Sequence, residues 1–185
     1  LSNIQVGSSI RKFFINRFFD STFTLLGVVS GSAFIASPDT RTIMLTLISS
    51  SIALGISSGV SVYEAEIIEG EKEVEELENA MLVNLDNTYH SDSLKLNAFL
   101  ASLINFATPL CSMIIAISPF LLANTGIINT KLAGGMSILL SLATLTLVGT
   151  YMGKGTNGNA FLKGLRMAFF GTMAFLVGYL LESII

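Results

Sequence analysis

Cysteine, histidine, proline and tryptophan are nearly missing from this 185-residue chain, which has one Cys, one His, three Pro and no Trp. A lone thiol, Cys111, excludes a disulfide within the chain, and one Cys with one His cannot complete a structural zinc cluster. Charge is scarce too: only 12% of residues are Asp, Glu, Lys or Arg, where a soluble domain usually carries about 25%. No HExxH, GxSxG or Walker-type glycine loop occurs, and His90 is expected alone in a polar turn, NTYHSDS. No nucleophile–base pair is available, so the chain does not read as an enzyme or as an ATP-driven pump by itself. The opening SNIQVGSSIRKFF is too polar ahead of its basic pair to be a cleavable signal, and a start on Leu1 rather than Met points to trimming.

What is present is apolar sequence in long runs, 51% of the whole. About 20 apolar residues cross the hydrocarbon core as a helix, and five windows qualify: 18–36, 43–63, 98–122, 132–152 and 162–182. The expected class is all-α, a polytopic membrane protein with five transmembrane helices. Residues 1–63 hold an N-terminal segment and the first two spans, 64–95 an insert, and 96–185 the last three spans. Pro109 and Pro119 interrupt the third window and are expected to kink it. Glycine pairs at GxxxG spacing (Gly27 and Gly31, Gly55 and Gly59, Gly149 and Gly153) predict close helix contacts, within the chain or with another.

Basic residues set an orientation. With the N-terminus cytoplasmic, Arg11, Lys12, Arg17, Lys72, Lys95, Lys154, Lys163 and Arg166 lie inside, while only Arg41 and Lys131 lie outside. The C-terminus is then outside and the insert is cytoplasmic.

Acid is concentrated in that insert. Ten of the thirteen acidic residues fall between Glu64 and Asp92, with Lys72 the only basic residue among them. No Gly/Pro break separates the second span from this run, so it reads as the same helix continuing into water. Glu66, Glu69, Glu73 and Glu76 share one helical face, and Val74, Leu77, Met81 and Leu85 form an apolar stripe on another. Carboxylate oxygens suit hard or borderline divalent cations, although a charge run is more often a solvated face.

Within the spans, Asp20 is the conspicuous group. A carboxylate in hydrocarbon costs several kcal/mol by most estimates, so it reads either as a cation or proton site or as an interfacial cap at a helix start. The second span carries Ser57, Ser58 and Ser61, either lining a wet path or packing as small residues bonded to their own helix. His90 reads as a surface residue, and Cys111 and Met113 as core filler.

These residues resemble the vacuolar iron transporter family, whose members move ferrous iron and manganese across membranes. The resemblance rests on FFDSTFTLLGVVSG, ALGISSGVSVYEAE, LNAFLASLINFATPLCSMIIAISPFLL and GTYMGKGTNGNAFLKGLRMAFFGTMAFLVGYLLES, in that order and over nearly the whole chain. It implies a homodimer with an ion path near the two first helices, proton-coupled exchange, and a Glu-rich cytoplasmic insert. Asp20 lands on the family's intramembrane Asp, and Glu64 to Glu78 land where the insert begins. Ser58 stands where the family often has Met, no acid lies between Ile43 and Tyr63, and the insert is short. Loss of the thioether favours ions content with oxygen ligands.

The expectation is therefore a dimeric transporter exporting Fe²⁺ or Mn²⁺ from the cytoplasm against protons, in a prokaryotic cell membrane or an organelle. Asp20, Glu64, Glu66, Glu69, Glu73 and Glu76 are the expected metal ligands, and Asp20, Ser57, Ser58 and Ser61 the path. The third helix would add mobility or unpaired carbonyls. No resident cofactor and no nucleic acid are expected; the partners are lipid, divalent cations, protons and a second copy. The rivals are a non-transporting interaction protein whose acidic helix docks a basic partner, and a passive cation channel on the same scaffold.

Overall fold

The computed structural model describes residues 2–35, 37–81, 89–153 and 160–184, with side chains from Phe14 onward except at 77, 81, 89–94, 152, 153, 160, 163 and 181–184. Among the described residues there are five helices and no strand: α1 Ser2–Ala33, α2 Thr40–Met81, α3 Tyr89–Asn124, α4 Thr130–Gly153 and α5 Ala160–Ile184. Each apolar window lies on one of these helices, the first overrunning the end of α1 by three residues. Among the described residues, three helical segments contain a run long and apolar enough to cross a bilayer, Thr40–Ala80, Lys95–Asn124 and Thr130–Tyr151. α5 has a shorter apolar segment at Gly164–Leu180, and α1, expected to be the first transmembrane helix, is not among them.

Local chemistry fixes the helix ends. Asp39 caps α2: its carboxylate accepts from the backbone N–H of Thr42 at 3.0 Å, from the Thr42 hydroxyl, and from the N–H of Arg41 at 3.3 Å. Those bonds hold its pKa below the usual carboxylate value, the Thr42 hydroxyl contributing most. α3 closes with Gly126 in the left-handed region at φ 80°. The N–H of Gly126 then reaches the carbonyl of Ala123 at 3.0 Å and that of Ile127 reaches Leu122 at 3.3 Å, a Schellman turn. The starts of α2 and α4 meet where the Thr40 and Thr130 hydroxyls bond at 2.6 Å. Arg41 and Lys131 therefore share one end of the bundle.

α1 packs against all four other helices, with α2 most extensively on α3 and α4 on α5. The common core contains Leu25, Leu26, Val29, Leu47, Phe120 and Leu145. The surface around that core differs from a water-soluble bundle's. Large side chains such as Phe99, Leu103, Ile114, Leu139, Leu147 and Phe169 face outward, while Ser21, Thr22, Ser51, Ser58, Asn105, Thr108, Ser112, Ser137 and Ser141 are buried. Water would favour the reverse; hydrocarbon surroundings permit it, because small polar residues then hold helices together. The distribution fits a bilayer as the outer medium.

Three expectations need correction. α1 begins at Ser2, about five turns before Asp20, so Asp20 is no cap at a helix start. Tyr89 and His90 belong to the first turn of α3 rather than to a polar turn. Cys111 is exposed on α3, not core filler, whereas Met113 does pack against the core. By contrast, α2 does continue unbroken from its apolar run into the acidic one, 42 residues in all.

Candidate functional site

Asp20 lies well inside α1, yet its side chain points away from the other helices and is 68% exposed. Among the described residues its carboxylate forms an ion pair with the guanidinium of Arg17, one turn earlier, at 3.6 Å. Thr24 bonds to the backbone carbonyl of Asp20 at 2.8 Å rather than to its side chain. Asp20, Thr24, Gly27 and Gly31 follow i, i+4, i+7, i+11 spacing and so form one stripe. A Cβ built at Gly27 or Gly31 would meet nothing within 4 Å. This side of α1 is thus polar, small and uncovered by the chain itself.

The serines of α2 divide between two faces. Ser57 and Ser61 are exposed, and the Ser61 hydroxyl bonds to the carbonyl of Ser57 at 2.7 Å. Ser58 is buried, where its hydroxyl donates to the backbone carbonyl of Asn105 on α3 at 3.0 Å. That bond has a definite cause. Pro109 has no N–H, so the carbonyl four residues back, that of Asn105, loses its helical donor. Ser58 supplies the replacement from the neighbouring helix. The second proline frees the carbonyl of Ile115, which the Ser118 hydroxyl takes at 2.9 Å. α3 therefore runs through both prolines as one helix with neither carbonyl left over. The expectation of unpaired carbonyls fails for that reason, and Ser58 is a structural residue of the α2–α3 seam.

Gly55 and Gly59 make that seam possible. A Cβ at Gly55 would lie 2.8 Å from the backbone oxygen of Phe106, and one at Gly59 would lie 3.3 Å from the Phe106 Cβ. A Cβ at Gly149 would likewise lie 3.1 Å from the Cα of Gly164 on α5. Two of the GxxxG steps thus serve contacts within the chain, although nothing is described around Gly153.

A buried polar cluster escaped the sequence reading. Ser21 and Ser112 share a hydrogen bond of 2.8 Å between α1 and α3, and Thr22 reaches Ser112 at 3.3 Å. Asn105 donates through Nδ2 to the carbonyl of Ala101 at 2.8 Å, while its Oδ1 is buried with no donor. An unmet buried acceptor costs on the order of 1–3 kcal/mol. The available signal was the spacing of Asn105, Thr108 and Ser112, which recur on one helical face of an otherwise apolar window.

On α2, Glu64, Glu69, Glu73 and Glu76 are exposed and Glu66 is half-buried. Partial burial, reinforced by the negative charges of Glu69 and Glu73, pushes the Glu66 pKa above the usual carboxylate value. From Glu66 to Glu76 the face extends about 15 Å along a straight helix. One cation with ligand distances near 2–2.6 Å cannot touch all four carboxylates. Among the described residues no three His, Cys, Asp or Glu side chains converge into a metal cage. The strip attracts cations without enclosing one. Leu77, Met81 and Leu85 of the expected apolar stripe lie outside the described side chains; Val74 is half-buried.

No protein-family model matches this chain, and no curated protein does. Its chemistry has to be read from its own side chains: an outward carboxylate deep in α1, a polar seam sealed inside, and an acidic strip on the extension of α2.

Proposed function

We propose that this chain is a divalent-cation transporter, built on the plan of the vacuolar iron transporters, that exports Mn²⁺ or Fe²⁺ from the cytoplasm in exchange for protons. The observation that carries the reading is Asp20: a carboxylate about five turns into α1, on an uncovered stripe with Gly27 and Gly31. If the surrounding medium is hydrocarbon, an outward carboxylate is costly unless something covers or neutralises it. A second copy seated on the same stripe supplies that cover, since small residues let two helices approach closely. Two Asp20 carboxylates would then face each other across the dimer axis, an oxygen site for a divalent ion.

The acidic strip Glu66, Glu69, Glu73 and Glu76, with Glu64 above it, gathers cations electrostatically at the cytoplasmic mouth. All ligands in this scheme are oxygens, which favours Mn²⁺ alongside Fe²⁺. The N-terminus is cytoplasmic, all five helices cross the membrane, and the basic residues outnumber those on the far side accordingly.

The test is uptake of Mn²⁺ and Fe²⁺ into proteoliposomes under an imposed pH gradient, wild type beside Asp20→Asn. Gradient-driven uptake that disappears in the variant supports the reading. Equal uptake in both removes Asp20 from the path, and uptake without a gradient requirement favours a passive channel. The exposed, uncaged strip favours one rival in particular, a docking helix for a basic partner. Metal-independent binding of a basic protein, lost on neutralising the strip, would establish that rival.

A further inference from the structure

The pairing of Arg17 with Asp20 adds a feature that the transport reading does not require. Arg17 lies one turn before Asp20, so the two side chains leave α1 on the same face. Its guanidinium reaches within 3.6 Å of Asp20 Oδ2, and it is itself partly exposed at 37%. Among the described residues no other cationic group is paired with Asp20. A guanidinium is permanently charged and sits on a flexible stem, so it can leave and return without any proton changing hands.

We infer that Arg17 is a tethered competitor for the cation at Asp20, occupying the carboxylate when the site is empty and yielding it when a divalent ion arrives. The inference rests on the reading of Asp20 as the cation ligand. Its logic is electrostatic. Without a counter-charge, an outward carboxylate in a poorly hydrated setting would hold a divalent cation tightly and release it slowly. With Arg17 in place, the incoming ion gains its attraction to Asp20 but displaces an existing attraction of the same kind, so binding is weakened and release is helped. A transporter needs a site that is favourable enough to fill and weak enough to empty. At 3.6 Å the contact is longer than a charge-assisted hydrogen bond, which suits a pairing that must break in every cycle.

The experiment is Mn²⁺ binding to the purified full chain in detergent, followed by the electron paramagnetic resonance of free Mn²⁺. The relevant quantity is the component of binding abolished by Asp20→Asn, which separates this site from the acidic strip. Arg17→Gln is expected to tighten that component about three- to tenfold. Arg17→Lys, which keeps a positive charge within reach, should stay near the wild-type affinity. Arg17→Met, which retains the apolar stem, replaces Arg17→Gln if the amide variant fails to fold. A tightening in the neutral variants that Lys reverses supports competition. Unchanged or weaker binding in the neutral variants, with the Asp20-dependent component still present, overturns the role of Arg17 alone. If Asp20→Asn removes no binding at all, the cation reading of Asp20 falls and this inference falls with it.

Discussion

Two glycine pairs of identical spacing lie in opposite circumstances in this bundle. Gly55 and Gly59 on α2 are pressed against the backbone and side chain of Phe106, with no room for a methyl group at Gly55. Gly27 and Gly31 on α1 face open space, beside Asp20 and Thr24. The motif is the same; what differs is whether the chain uses it up. A spent pair reports on how the monomer folds, and an unspent one, next to an exposed charge, points to something outside the monomer.

The contrast can be broken most severely at Gly55. Gly55→Leu forces a branched side chain into the Phe106 carbonyl, and the bundle should lose more than about 3 kcal/mol, with Gly55→Ala losing about 1–3 kcal/mol. Thermal melting in detergent followed by circular dichroism reads both. Ser58→Ala comes next. It leaves the carbonyl freed by Pro109 without a donor, a cost of about 1–3 kcal/mol, whereas the neighbouring Ser57→Ala on the outer face should stay within about 0.5 kcal/mol. Equal effects of the two serine changes would contradict the inward and outward assignment.

Gly31→Leu sharpens the comparison from the other side. Melting of the isolated chain should shift by no more than about 0.5 kcal/mol, while the dimer measured by light scattering and the Mn²⁺ uptake should both be lost. A melting change as large as that of Gly55→Leu would show that this face is already occupied.

The smallest effect concerns the acidic strip. Burial and repulsion raise the Glu66 pKa, so the folded state favours its protonated form. Below the ordinary carboxylate value both states are protonated and nothing is lost; as pH rises through the raised value, ionised Glu66 weighs against the fold. Glu66→Gln should therefore raise the melting temperature slightly at about pH 8 and leave it unchanged at about pH 4.

Much of the architecture was legible because apolar run length is a coarse and forgiving signal. The window 162–182 sits inside α5, Ala160–Ile184, and the acidic run was rightly read as α2 carried onward. The early start of α1 was less visible. SNIQVGSSIRK has no apolar period, so hydropathy ignores it, although nothing in it breaks a helix. The interior was read least well. Ser57, Ser58 and Ser61 read alike in sequence, but Ser57 and Ser58 differ by about 100° around the helix, which leaves Ser58 inside the α2–α3 contact and Ser57 outside it. Asn105, Thr108 and Ser112 are inconspicuous because each is an isolated polar letter in an apolar run, and Ser21 because it stands beside Asp20. Only the pairing of α1 with α3 brings Ser21 to Ser112. Cys111 shows the converse error: an apolar neighbourhood in sequence does not mean an inward position when the outer surface is itself apolar.

The unbroken course of α2 has a mechanical meaning. Forty-two residues without a break form a rod about 63 Å long, roughly twice the thickness of a bilayer's hydrocarbon core. Its far end carries the acidic strip, and its near half is clamped to α3 where Gly55 meets Phe106. A rod clamped along its near half and charged along its far half has the form of a lever. A force applied to the strip would reach the clamp as torque rather than dissipate in a flexible linker. Inserting a short flexible segment after Tyr63 would uncouple the two ends while leaving each of them intact.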